Sequence, residues 1–75
     1  LEIYPNPFND VLAIKGENTI QAITIYDVLG RQVNHIEFLG IENTVVVNTS
    51  KLLQGSYFVK VKVNNIEAVE TLIKK

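Results

Sequence analysis

The sequence predicts an all-β chain, an antiparallel β-sandwich of about seven short strands. Three observations carry this. Apolar and polar residues alternate with a period of two, most clearly over Ile23–Tyr26 and Ser56–Val63. Turn-forming residues punctuate the chain at intervals of about ten residues. No stretch has the three-to-four spacing of an amphipathic helix. At 75 residues, 47% of them hydrophobic, residues 1–75 form one domain, near the size at which a single core only just outweighs chain entropy.

Leu1-Glu2-Ile3-Tyr4 is a short alternation that stops at Pro5-Asn6-Pro7-Phe8-Asn9-Asp10. Pro5 and Pro7 fix φ and remove two backbone donors, which makes this a rigid turn or edge connection. Val11–Lys15 is the next strand, ended by Gly16-Glu17-Asn18-Thr19. The organising strand runs from about Ile20 to Asp27, with Ile23 and Ile25 on one face. In Asp27-Val28-Leu29-Gly30 the Asp side chain can bond the backbone two residues on, and Gly accepts the positive φ of a bulged hairpin. Gln32–Leu39 returns with untidy alternation, which a bulge or an irregular crossover would explain.

Val45 and Val47 alternate with Thr44, Val46 and Asn48 in a further strand. Asn48-Thr49-Ser50 before Lys51-Leu52-Leu53 resembles a capped single helical turn. In Ser56–Val63 the residues Tyr57, Val59, Val61 and Val63 face one way; Phe58, Lys60 and Lys62 face the other. Asn64-Asn65-Ile66 turns the chain into Glu67–Lys75. A two-residue turn there would set Val59 opposite Glu70, a carboxylate in the core row. A three-residue turn instead pairs Val61 with Val69, Tyr57 with Ile73 and Lys60 with Glu70, and this is the register the side chains favour. The expected core is Ile23, Ile25, Val45, Val47, Tyr57, Val59, Val61, Val69 and Ile73.

Composition excludes several functions. The formal net charge is −1 with scattered basic residues, so there is no electrostatic footprint for nucleic acid or an anionic membrane. The apolar runs are far shorter than the roughly 20 residues that span a bilayer. Cysteine is absent, which removes disulfides, thiolate catalysis and Cys-based zinc sites. Small secreted domains often carry disulfides, yet their absence does not exclude export. The chain starts without Met and carries no signal peptide, from which we expect a piece of a longer polypeptide.

No residue set reads as chemistry, so we expect no catalytic residue, no cofactor and no metal. His35 is the single histidine and reads as a partly exposed strand residue. Asp10 and Asp27 sit in oxygen-rich turns where capping is a commoner role than calcium binding. Tyr4, Tyr26 and Tyr57 could stack against sugars or bases, but amphipathic positions at the core edge are the simpler reading. The favoured register sets Phe58 opposite Leu72 on the outer face of the last hairpin, rimmed by Lys60, Lys62, Glu70 and Lys74. An apolar pair with a charged rim is a contact surface, unless a neighbouring loop or domain covers it.

These residues form an ordered pattern. Tyr4-Pro5-Asn6-Pro7, then Asp10 before an apolar strand, then Ile25-Tyr26-Asp27-x-x-Gly30-Arg31-x-Val33 resembles the C-terminal sorting domain of the bacterial type IX secretion system. Val47-Asn48-Thr49-Ser50-x-Leu52-x-x-Gly55-x-Tyr57-x-Val59-Lys60-Val61 and the closing Leu72-Ile73-Lys74-Lys75 continue the resemblance to the chain end. Asn48 stands where Asp is usual, Thr49 where an apolar residue is usual, and Phe8-Asn9 is a bulkier insert. The Ig-like domain of flagellar hook-capping proteins shares the Asn-Pro-Phe and Tyr-Asp-x-x-Gly pieces and is the second resemblance.

The first resemblance implies an Ig-like sandwich that acts as a non-catalytic export address. It would direct an upstream cargo from the periplasm through the outer-membrane translocon, to the cell surface or the medium. A sortase-like peptidase would then remove the domain ahead of Leu1 and attach or release the cargo. It implies recognition through the last hairpin, Gly55, Tyr57, Phe58, Lys60, Leu72, Lys74 and Lys75, with Pro5, Asn6, Pro7, Asp10, Tyr26, Asp27 and Gly30 as structural motif. Neither nucleic acid nor membrane insertion is implied. The alternative is an accessory Ig-like module, a spacer or a carbohydrate- or protein-binding domain. An exposed edge at Gly55–Val63 or in the last strand could also pair between chains.

Overall fold

The computed structural model describes residues 1–75. Seven strands follow in chain order: β1 (Glu2–Tyr4), β2 (Val11–Lys15), β3 (Ile20–Asp27), β4 (Gln32–Glu37), β5 (Thr44–Asn48), β6 (Gly55–Val63) and β7 (Ile66–Lys74). They form two antiparallel sheets, β1-β2-β5 and β4-β3-β6-β7, packed as a sandwich. The expected fold class is the one observed.

Alternation places the core between the sheets. Leu12 and Ile14 from β2, Val45 and Val47 from β5, Ile20, Ile23 and Ile25 from β3, and Tyr57, Val59 and Val61 from β6 are buried together. The bulge falls between Ile25 and Tyr26 of β3: Ile25 faces Asn34, Tyr26 faces Gln32, and Val33 is left over. This one extra residue explains the untidy alternation of β4. Past it, Ile36 and Phe38 pack against the core.

The last hairpin corrects the expected register. Val63 pairs with Ile66, so Asn64-Asn65 is a two-residue turn, and Tyr57 faces Leu72, Val59 faces Glu70, Lys60 faces Val69 and Val61 faces Ala68. Both central residues take positive φ, Asn64 at 52° and Asn65 at 62°, the backbone of a type I′ turn that Asn tolerates and that matches strand twist. The carboxylate objection fails because β7 is the sheet edge and the facing sheet has only three strands. The inner row of β7 is covered only near its end: Leu72 and Lys74 are buried, whereas Glu70 is open to solvent. Val69 and Ile73, expected in the core, are 58% and 50% exposed. Leu72 takes the core position instead.

The segment after β1 closes the sandwich. Phe8 is fully buried and makes a parallel bridge to the end of β7. Its N–H donates to the Ile73 carbonyl (2.8 Å) and its carbonyl accepts from the Lys75 N–H (2.9 Å). Asn6 Oδ1 accepts from the Ile73 N–H at 3.1 Å. The chain after β5 makes a turn, not a helical turn: Leu52 N–H donates to the Thr49 carbonyl. Asn48 Oδ1 caps it, accepting from the Ser50 N–H (2.9 Å) and hydroxyl (2.7 Å).

Candidate recognition surface

The motif residues hold three structural joints. At the β3–β4 turn, Asp27 Oδ1 accepts from the Leu29 and Arg31 N–H groups, each at 2.9 Å. Its Oδ2 accepts from Arg31 Nε at 2.7 Å. The Arg31 backbone N–H above all, with the Arg31 guanidinium and the Leu29 N–H, holds the Asp27 carboxyl below its usual range. Gly30, at φ 82°, supplies the left-handed residue the turn needs. Asp27 is thus consumed by its own turn, and no three His, Cys, Asp or Glu side chains gather as a metal site.

The second joint is the clamp on the chain end. Lys74 is 5% exposed; its ammonium donates to the Asn9 carbonyl and lies 5.9 Å from the Phe8 ring centroid. The Asn9 carbonyl also accepts from Thr49 Oγ1 at 2.8 Å, and Thr49 N–H donates to the Asp10 carbonyl. Thr49 is buried. The third joint is Tyr57, whose hydroxyl donates to the Leu53 carbonyl at 2.6 Å and whose ring tilts against Phe8 at 6.2 Å. Gly55 opens β6 at φ 148°.

The expected recognition set therefore divides. Tyr57, Leu72 and Lys74 point inward, and the outward Phe58–Leu72 pair does not exist. Phe58 faces Thr71 across the hairpin and Tyr26 on β3. The outer face carries Phe58, Val69 and Ile73, all partly or largely exposed. Beside them Lys60 sits over the Tyr26 ring at 5.4 Å and pairs with Glu67 at 3.6 Å, not with Glu70. Tyr26 first, then the Glu67 carboxylate, hold the Lys60 ammonium above its ordinary pKa. His35 lies on the same face, its Nδ1 2.8 Å from Thr24 Oγ1. Tyr26 and Tyr57 occupy opposite faces, so the tyrosines form no platform.

The edge of β7 is open in part. Ile73 and Lys75 turn their backbone groups away from β6, toward Asn6 and Phe8. By the two-residue period Glu67, Val69 and Thr71 do the same, and beyond them the sheet has no further strand. Sequence reasoning missed Phe8, Asn9 and Thr49 because their role rests on contacts some 40 to 67 residues apart, which no local period reports.

Fold and surface together define a β-sandwich domain whose four-stranded sheet presents an exposed outer face and, at β7, a partly open edge. The family model described as secretion system C-terminal sorting domain matches residues 2–75. The chain belongs to this family, the sorting domains of type IX secretion. No curated protein matches it.

Proposed function

We propose that this domain is the export address of a cargo joined ahead of Leu1, and that the type IX translocon reads it on the outer face and open edge of the last hairpin. The coarser function, a type IX sorting signal tied to export toward the outer membrane or surface, follows from family membership. A sorting-signal family is in general non-catalytic. One observation supports the finer reading. Phe58, Val69 and Ile73 form an apolar outer face beside the unpaired edge Glu67–Thr71, where a partner strand can add by main-chain hydrogen bonds while side chains give specificity. Lys60 and Lys75 flank that surface. Tyr57, Leu72, Lys74 and Gly55 act by holding the hairpin in place. Removal by a sortase-like peptidase and surface attachment or release would follow transit.

The test is a secretion assay with the domain fused after a periplasmically exported reporter, in a host with a working type IX system and in a translocon-deficient strain. The reporter is expected outside the first strain only. Val69→Pro removes one outward N–H and the exposed Val69 side chain at an edge position that tolerates proline, so it should leave the domain folded and reduce export, as should Phe58→Ser. Reporter trapped in both strains with a folded domain would overturn the reading in favour of an accessory Ig-like module.

A further inference from the structure

The end of the sandwich that holds the β3–β4 turn and the β5–β6 loop carries a second surface. Val28 (62% exposed), Leu29 (75%), Leu53 (81%) and Val33 (40%) are the large apolar residues there. They line a cleft of about 430 Å³ between the turn and the loop, within the range of roughly 300–1,000 Å³ typical of ligand sites. A second cleft of about 370 Å³ continues from it between the edges of β4 and β5, sharing Val33, Lys51 and Leu52 and adding Asn34 and Asn48.

Both walls are fixed before anything binds. Asp27 locks the turn through three hydrogen bonds, and the Tyr57 hydroxyl holds the Leu53 carbonyl. Preformed walls lower the ordering cost of association. The rim is cationic. Arg31 and Lys51 border the cleft together with Asp27; Arg31 is already paired with Asp27, and Lys51, which has no ion-pair partner, leaves the rim one positive charge. The long strands β3 and β6 separate this end from Leu1, which lies beside Gly16 and Asn64. A domain joined ahead of Leu1 would therefore leave the cleft uncovered.

We propose that this cleft binds an extended, acidic protein segment that inserts leucine-sized side chains between Leu29 and Leu53, with a carboxylate on Lys51. The apolar lining selects the side chains, the cationic rim selects the charge, and the Asn34 and Asn48 amides meet the backbone of a segment running along β4 and β5. This surface is separate from the outer face of the last hairpin.

The test uses the isotope-labelled 75-residue chain and three capped hexapeptides: alternating aspartate and leucine, alternating lysine and leucine, and alternating aspartate and serine. The aspartate–leucine peptide is expected to shift the amide signals of Val28, Leu29, Val33, Lys51 and Leu53 at about 1 mM or below. Leu53→Ser and Lys51→Glu, both at exposed sites, should keep the folded spectrum and weaken binding about tenfold or more. Shifts from the lysine–leucine peptide would overturn the charge assignment, and equal shifts from the aspartate–serine peptide would overturn the apolar one. No localised shift with about 5 mM aspartate–leucine peptide, or shifts centred on Phe58 and Thr71, would overturn the proposal.

Discussion

Asp27 and Lys74 are both charged motif residues, and their surroundings give them different work. Asp27 accepts three hydrogen bonds at the surface, so its carboxylate is favoured in the folded state. Its folded pKa is lowered from 3.8; the stability it contributes is full above that value and is lost as pH falls through the lower, folded one. Asp27→Asn should therefore cost stability at pH 7 and progressively less as pH falls below 3.8, read as converging urea midpoints of variant and parent on acidification. Lys74 is buried against Phe8 and Asn9. Its replacement by alanine removes a charge-assisted hydrogen bond and should cost about 2 kcal/mol in chemical denaturation. Lys75→Ala, at an exposed site, should stay within about 0.5 kcal/mol. Sequence alone made these two lysines equivalent parts of a recognition tail; only the position of Asn9 distinguishes them.

The strands were legible as elements because each is a run of alternating residues bounded by turn formers, and the β3–β4 turn because its Asp and Gly act locally. Side chains alone do not set the pairing of β6 with β7. An edge strand opposite a narrower sheet has an inner row that is half wet, so Glu70 can sit in that row without entering the core. The backbone preference of Asn64-Asn65 decides instead. Asn64→Ala should destabilise by about 1 kcal/mol, since alanine pays the steric cost of left-handed φ. Asn64→Gly should change stability little, and denaturation of the pair separates the two. Asn65 is further tied by its N–H to Gln21 Oε1 at 2.7 Å, which fixes the turn against β3.

At the scale of the molecule, the fold depends on an aromatic that no periodicity marks. Phe8 sits in a loop, yet it is fully buried between the two sheets. Phe8→Ala should cost about 3–5 kcal/mol. A 75-residue domain holds in total about 4–11 kcal/mol, so the variant should populate unfolded chain substantially, visible as loss of near-ultraviolet dichroism. In the secretion assay it should fail alongside its fold, in contrast to Phe58→Ser, which should fail with the fold intact. The proposed recognition surface was legible in part: the hairpin and Phe58 were visible in the pattern, and the pairing that exposes Val69 and Ile73 was not.

Phe8 also ties residues 6–9 to residues 73–75, nearly the full contour of the chain. Any machine that makes or threads this polypeptide N-terminus first releases residues 73–75 long after residues 6–9. Until they emerge, Phe8 has no lid and the two sheets have no seam. The closed sandwich then certifies that both ends of this contact are present: a chain broken off before residue 73 is left unable to close. A receptor that accepts only the closed shape would thereby refuse such a chain without inspecting the missing residues themselves.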